Sequence, residues 1–315
     1  MRALLQAAFG AAIIRIMNSL PDNPRHEMQS RLDPLIAERA PWLFSGRLHH
    51  NMARALLMRM LGYPRTLDLG AQYRDEPTEE IFRSMEEMII RDLEVSGLEH
   101  IPKKGPALIV ANHPTGIADG IVLYSLIGRV RKDLFVYTNQ DILRVLPQLE
   151  DMIVPVEWRQ DKRTHAKTRA TMEQTREWLA QDRIGLIFPS GRLAKRRGLT
   201  LHERPWMASA AMIARKMDVP VIPLRIRARN SILFYLFDAI HPTLRDVTLF
   251  HEVLNKAGQQ YQITIGAPVP AGTLPVKSDE ATEMLRRIVL SLPEPADTRP
   301  VSTTRLVKRR IFKHI

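Results

Sequence analysis

ALIVANHPTGIADG, residues 107–120, sets the reading of the whole chain. Its first five residues are apolar without alternation, the pattern of a short strand buried on both faces. Asn112-His113-Pro114 ends the run abruptly. Pro114 stiffens the exit, Gly116 permits a tight turn or a close approach by a substrate, and Asp119 stands at the start of a helix read as 119–128. In an α/β sheet, ligands gather outside the carboxyl ends of the strands. His113 follows such a strand directly, with a carboxylate six residues on.

Further apolar or β-branched runs lie on either side of this stretch: LEVSGL, LFVYT, MIVPV, GLIFP, VPVIPLRI and YQITIG. Most end at Pro, Gly or a polar group. Helical patterns separate several of them, at about 163–181, 206–217 and 278–291. Alternating strands and helices predict an α/β fold: a mixed, largely parallel sheet flanked by helices. Residues 1–91 read instead as a helical segment, with helices at about 26–38, 47–62 and 77–91. In the last, Pro77, Glu79 and Glu80 suit a first turn, and Ile81, Phe82, Met85, Met88 and Ile89 share a face. The expected organisation is therefore a helical segment at 1–91, an α/β domain at 92–295 and a basic tail at 296–315.

The bulk composition limits the partners. Lys and Arg number 46 against 34 Asp and Glu, a net charge of +12, which favours an anionic partner: nucleic acid, lipid head groups or an acidic protein. Aromatics are only 6%, the basic residues are scattered and no nucleic-acid reading motif is present, so nucleic acid is not expected. With no cysteine, disulfides, thiolate metal sites and a cysteine nucleophile are all excluded. No run reaches the length of a conventional transmembrane helix. The apolar stretch 3–14, flanked by Arg2 and Arg15, reads three ways: an interfacial amphipathic helix, an ordinary packed helix or a signal sequence. The tail from Arg299 carries six basic residues and no acidic one, which suits either a solvated end or an anionic membrane contact.

A P-loop, a dinucleotide fingerprint, a G-x-S-x-G elbow and an H-E-x-x-H motif are all absent from the sequence. His113 and Asp119 can nonetheless do chemistry without a nucleophilic serine. One ring nitrogen takes a proton from a hydroxyl, while the other donates to Asp119, which fixes the tautomer and stabilises the imidazolium. Such general-base help is worth roughly 10²–10⁴-fold. The bland alternative is that His113 caps a helix and Asp119 is an N-cap. A metal site has too few ligands nearby.

ANHPTGIADG resembles the first motif of the glycerolipid acyltransferases, the PlsC-type lysophospholipid acyltransferase superfamily. Its His-x5-Asp spacing, one longer than that motif's usual four, is similar to the hemolysin-like or ornithine-lipid-related branch. Four more stretches resemble the family's later blocks in the family's order: IVPVEWRQDKR (153–163), IGLIFPSGRLAK (184–195), VPVIPLRI (219–226) and ITIGAPV (263–269). The third block departs from the family pattern, with Ser190 where the family has Glu and Arg192 directly after Gly191.

The resemblance implies a glycerol-3-phosphate acyltransferase-like fold and a phospholipid or glycerolipid O-acyltransferase. His113 and Asp119 would be catalytic. Asn112, Thr115, Gly116, Arg159, Ser190, Gly191 and Arg192 would bind substrate; the geometry of a helix start, rather than the resemblance, has Thr115 and Gly116 lend backbone N–H groups to an oxyanion. The implied donor is acyl-ACP or acyl-CoA and the acceptor a lysolipid-like hydroxyl. No cofactor is implied. The implied place is peripheral, on the anionic cytoplasmic face of the inner membrane. Ser190 in place of Glu leaves a second reading open: a membrane-surface binding protein with an acyltransferase-derived fold and little activity.

Overall fold

A computed structural model describes residues 23–90, 92–157, 163–198, 200–256 and 259–293. The apolar stretch 3–14, Arg159 and the basic tail, all singled out in the sequence, lie outside the described residues.

The seven apolar runs are the seven strands of one sheet: β1 (Asp92–Ser96), β2 (Ala107–Ala111), β3 (Leu134–Asn139), β4 (Ile153–Val156), β5 (Ile184–Ile187), β8 (Val221–Arg227) and β9 (Gln260–Ile265). A separate hairpin pairs β6 (Lys195–Arg197) with β7 (Thr200–His202). The spatial order in the main sheet is β1-β9-β8-β2-β5-β3-β4. Every pairing in it is parallel except β8 with β9. The mixed, largely parallel sheet expected from the sequence is thus present.

β2 lies inside the sheet between β5 and β8, and all five of its residues are buried. Its side chains alternate between the two faces. Ala107, Ile109 and Ala111 join the core formed with α4 (Thr78–Ile89) and α5 (Ile117–Gly128), which supply Ile81, Ile121 and Val122. Leu108 and Val110 face the opposite core, built by α7 (His165–Ala180), α8 (Ser209–Met217) and α12 (Ser278–Ser291). Each buried Leu, Ile or Val contributes about 1.5–3 kcal/mol, which is why such a run carries no polar residue until its end.

The N-terminal helices pack against one another and on the first of these cores. α1 (Pro24–Arg39) starts where the Asn23 side chain accepts a hydrogen bond from Arg25 N. It buries Met28 and Leu32 and ties Arg39 to Asp141 at 2.7 Å. Asp141 opens the short helix α6 (Asp141–Val145). α2 (Leu48–Met60) stops just before Gly62, whose φ of +69° breaks the helix, and α3 (Tyr63–Gln72) follows. Between β8 and β9 run three short helices that the sequence reading left unassigned: α9 (Ile232–Ile240), α10 (Pro242–Val247) and α11 (Leu249–Leu254).

Candidate active site

β2 delivers Asn112 and His113 to the carboxyl edge of the sheet. Asn112 is buried and spends both ends of its amide on the backbone of Ile226 in β8, donating to the carbonyl at 2.8 Å and accepting from the N–H at 2.7 Å. It therefore clamps the exit of the strand, and its amide is not turned to a ligand.

Gly116 turns the chain with φ +90° and ψ −131°, a backbone conformation open essentially to glycine. A Cβ there would also meet Leu193 Cδ2 at 3.2 Å. This turn begins α5 early enough for Asp119 to sit in its first turn and face back toward the histidine. His113 Nδ1 lies 3.0 Å from Asp119 Oδ2. The same oxygen accepts from Thr115 N at 2.8 Å and from Gly116 N at 3.0 Å, and Thr115 Oγ1 donates to Oδ1 at 2.5 Å. Asp119 is fully buried. Four donors surround it, so its charge is compensated where it would otherwise be expensive.

The capping reading and the dyad reading therefore describe one carboxylate in two roles. The oxyanion expectation for Thr115 and Gly116 needs correction, because both N–H groups already donate to Asp119. Behind them, Tyr261 of β9 places its hydroxyl 3.0 Å from Thr115 Oγ1. Since that oxygen donates to Asp119, Tyr261 is the donor to it.

The His113 ring stacks on Phe188, with centroids 4.2 Å apart and planes inclined by 25°. Phe188 is the first residue after β5, the parallel neighbour of β2. Held by Asp119 on one edge and Phe188 on one face, the side chain keeps 18% of its surface exposed. With Nδ1–H donated to Asp119, Nε2 carries the lone pair.

The third block lies alongside. Ala194 N donates to the His113 carbonyl at 3.0 Å, joining the two loops. Gly191 makes the turn with φ +57° and donates to the Phe188 carbonyl. Ser190 is buried and its hydroxyl reaches the Arg192 carbonyl at 2.7 Å, while Arg192 itself is exposed. The basic run 195–197 forms β6, with the Arg196 guanidinium 5.1 Å above the Tyr235 ring. β4, which leads toward Arg159, lies at the sheet edge beyond β5 and β3, away from β2.

Glu203 was not singled out in the sequence. Its carboxylate accepts from Trp206 Nε1 at 3.2 Å and meets His113 N at 3.4 Å. Ser190, whose hydroxyl donates to the Arg192 carbonyl, is also beside it. Burial pushes the Glu203 carboxyl above the usual range, against the pull of its hydrogen bonds to Trp206, Ser190 and His113. A carboxylate thus stands in the third block's neighbourhood although position 190 is serine. Lys256 was also missed. It is fully buried, with Nζ 3.0 Å from the Arg229 carbonyl and 3.3 Å from Glu252, and desolvation pushes its pKa down. Among the described residues, no group of three His, Asp or Glu could hold a metal ion.

Comparison with known proteins accords with this geometry. Residues 92–227 match the model of the family described as Acyltransferase. A lyso-glycine lipid O-acyltransferase of Phocaeicola vulgatus is 26% identical over 190 residues, covering 58% of this chain and 66% of that protein, just short of two thirds of its length. A lyso-glycine lipid O-acyltransferase of Bacteroides thetaiotaomicron is 24% identical over 214 residues, covering 65% and 77%. Among solved structures, the 1-acyl-sn-glycerophosphate acyltransferase PlsC of Thermotoga maritima is similar with a TM-score of 0.44 and 15% identity, covering 76% of this chain and 94% of that one. The family match runs from β1 to the end of β8, so residues 92–227 form a region of the Acyltransferase family.

Proposed function

We propose that the protein transfers a fatty acyl group from acyl-ACP or acyl-CoA to the hydroxyl of a lysolipid, an acceptor of the kind for which its two curated relatives are named. The observation that carries this reading is the contact of His113 Nδ1 with the buried Asp119 carboxylate at 3.0 Å. It leaves Nε2 as the acceptor at the carboxyl edge of the sheet. Nε2 removes the proton of the acceptor hydroxyl as its oxygen attacks the thioester carbonyl. Asp119 stabilises the imidazolium that forms. When the tetrahedral intermediate collapses, the C–S bond breaks, an ester remains on the acceptor and the thiol leaves with the proton. No acyl-enzyme is formed. The thioester is an activated donor, so orientation of the two substrates supplies much of the remaining rate.

Arg192 and the Lys195-Arg196-Arg197 run are the groups we assign to an anionic part of donor or acceptor, since Arg forks onto phosphate or carboxylate. Arg159 has the same proposed role. The protein works at the cytoplasmic face of the inner membrane as a peripheral protein. Two facts support that: no described helix is long and apolar enough to cross a membrane, and the net charge of +12 suits both anionic lipid and an acidic carrier protein.

The test is acyl transfer by the purified protein from labelled acyl-ACP and acyl-CoA to a panel of lysolipids, with His113→Ala alongside. Transfer that falls by roughly 10²–10⁴-fold in the variant is the expected result. Transfer that survives the substitution removes the general-base role. A folded protein that acylates no acceptor on the panel favours the membrane-binding reading instead.

A further inference from the structure

We propose that α2 and α9 together form the face by which this protein docks onto an anionic lipid surface. The proposal deepens the acyltransferase reading and rests on it for its biological sense.

Scattered apolar side chains on a surface need no explanation, but a concentrated patch does. Eleven large apolar side chains are exposed among the described residues, and eight of them belong to this region. On α2, Leu48, Met52, Leu56 and Met60 are 77, 66, 67 and 43% exposed. On α9, Ile232, Leu236 and Ile240 are 81, 54 and 62% exposed. Trp42, just before α2, is the eighth. In both helices the spacing is four, so each set lines one helical face. α2 has no fully buried residue at all. A helix that completes no burial in water, yet presents a continuous apolar stripe, has its partner elsewhere.

The two helices are joined through α10. Val247 of α10 packs on the small core of Ile36, Ala40 and Leu43 that also receives Leu57 and Met58 from α2. On its other side α10 packs against α9, where Arg245 reaches Asp238 at 3.1 Å. The next helix, α11, borders the His113 turn. Tyr235 of α9 lies under Arg196, and Leu249 of α11 stands beside Gly116.

Charge selects the occupant. Residues 41–65 contain no Asp or Glu and carry Arg47, Arg54, Arg59 and Arg65. Apolar side chains flanked by arginines suit a bilayer surface, with acyl chains for the stripe and phosphates for the guanidinium groups. A second copy of this chain, seated by a two-fold axis on α2, would set those arginines against one another.

The experiment is flotation of the full chain with vesicles of phosphatidylcholine alone and of phosphatidylcholine mixed with phosphatidylglycerol. Wild type is compared with Leu48→Ser/Leu56→Ser, with Ile232→Ser/Leu236→Ser and with all four together. These positions are exposed, and circular dichroism checks that the fold is kept. The expected result is stronger binding to the anionic vesicles, weakened about tenfold or more by each pair and further by the four together. Transfer to a short-chain, detergent-dispersed lysolipid is retained. Vesicle binding equal to wild type in all variants overturns the proposal. So does a dimer that the substitutions dissociate while vesicle binding stays unchanged. If no form of the protein acylates any lysolipid, the acyltransferase reading fails, and the vesicle result still decides the docking face.

Discussion

Asn112 pairs with Ile226 as though its side chain were another peptide unit, one hydrogen bond given and one received. The pair adds a rung to the β2–β8 ladder just where β2 would otherwise fray into the His113 turn. Asn112→Asp keeps the shape and loses the donor, leaving the Ile226 carbonyl facing a carboxylate in a buried place. An unmet buried polar group costs about 1–3 kcal/mol. The variant should therefore unfold at lower urea, and acyl transfer should fall because His113 loses its anchor. An unchanged urea midpoint would show that the clamp contributes nothing.

Asp119→Asn isolates the electrostatic half of the dyad. Asparagine can still accept from Thr115 N and Gly116 N through its oxygen, and its amide can donate to Thr115 Oγ1, so the turn survives. What is lost is the negative charge that stabilises the imidazolium of His113. By analogy with amidation of a triad carboxylate, kcat should fall roughly 10⁴-fold, with KM for the acceptor little changed. A variant with near-normal kcat would reduce Asp119 to a helix cap.

Glu203 predicts a pH dependence whose sign follows from burial. Its carboxyl is held above the ordinary range, so the folded protein grips that proton more tightly than the unfolded chain does. The stabilisation is complete below the unfolded carboxylate pKa and is lost as pH rises through the higher folded value. Glu203→Gln keeps hydrogen-bonding groups toward Trp206 and Ser190 and removes the titration. Wild type should therefore lose stability relative to the variant as pH increases from about 4 toward neutrality. Urea midpoints of both proteins across that range give the answer, and a constant difference would exclude Glu203 as the titrating group.

The parts of this molecule that could be read from the sequence are those encoded locally. A parallel sheet covered on both faces demands unbroken apolar strands, and all seven runs stood out for that reason. His113 and Asp119 stood out too, because one turn of chain brings them together. The partners of that turn lie far along the chain. Ile226 and Glu203 meet residues 112 and 113 from 114 and 90 positions away, and no spacing rule reports such contacts. Phe188 looked like the end of a strand, and only the β2–β5 pairing makes it a platform for His113. The helices from 232 to 254 were missed for another reason: SILFYLFDAI is apolar enough to be core, whereas three of its side chains face outward. The hairpin at 195–202 pairs two strands of three residues, too short to carry a periodic signal.

The sheet order also bears on how the chain is made. β1 occupies an edge and has a single strand neighbour, β9, to which it is matched from Asp92↔Gln260 to Ser96↔Thr264. On the ribosome β1 emerges first among the described strands, and its partner β9 emerges last among them. Until then its open edge is available to any other strand, which is the hazard of long-range pairing. Nascent chains stalled before residue 260 should therefore hold β1 unpaired, and its amides should exchange with solvent until β9 is released.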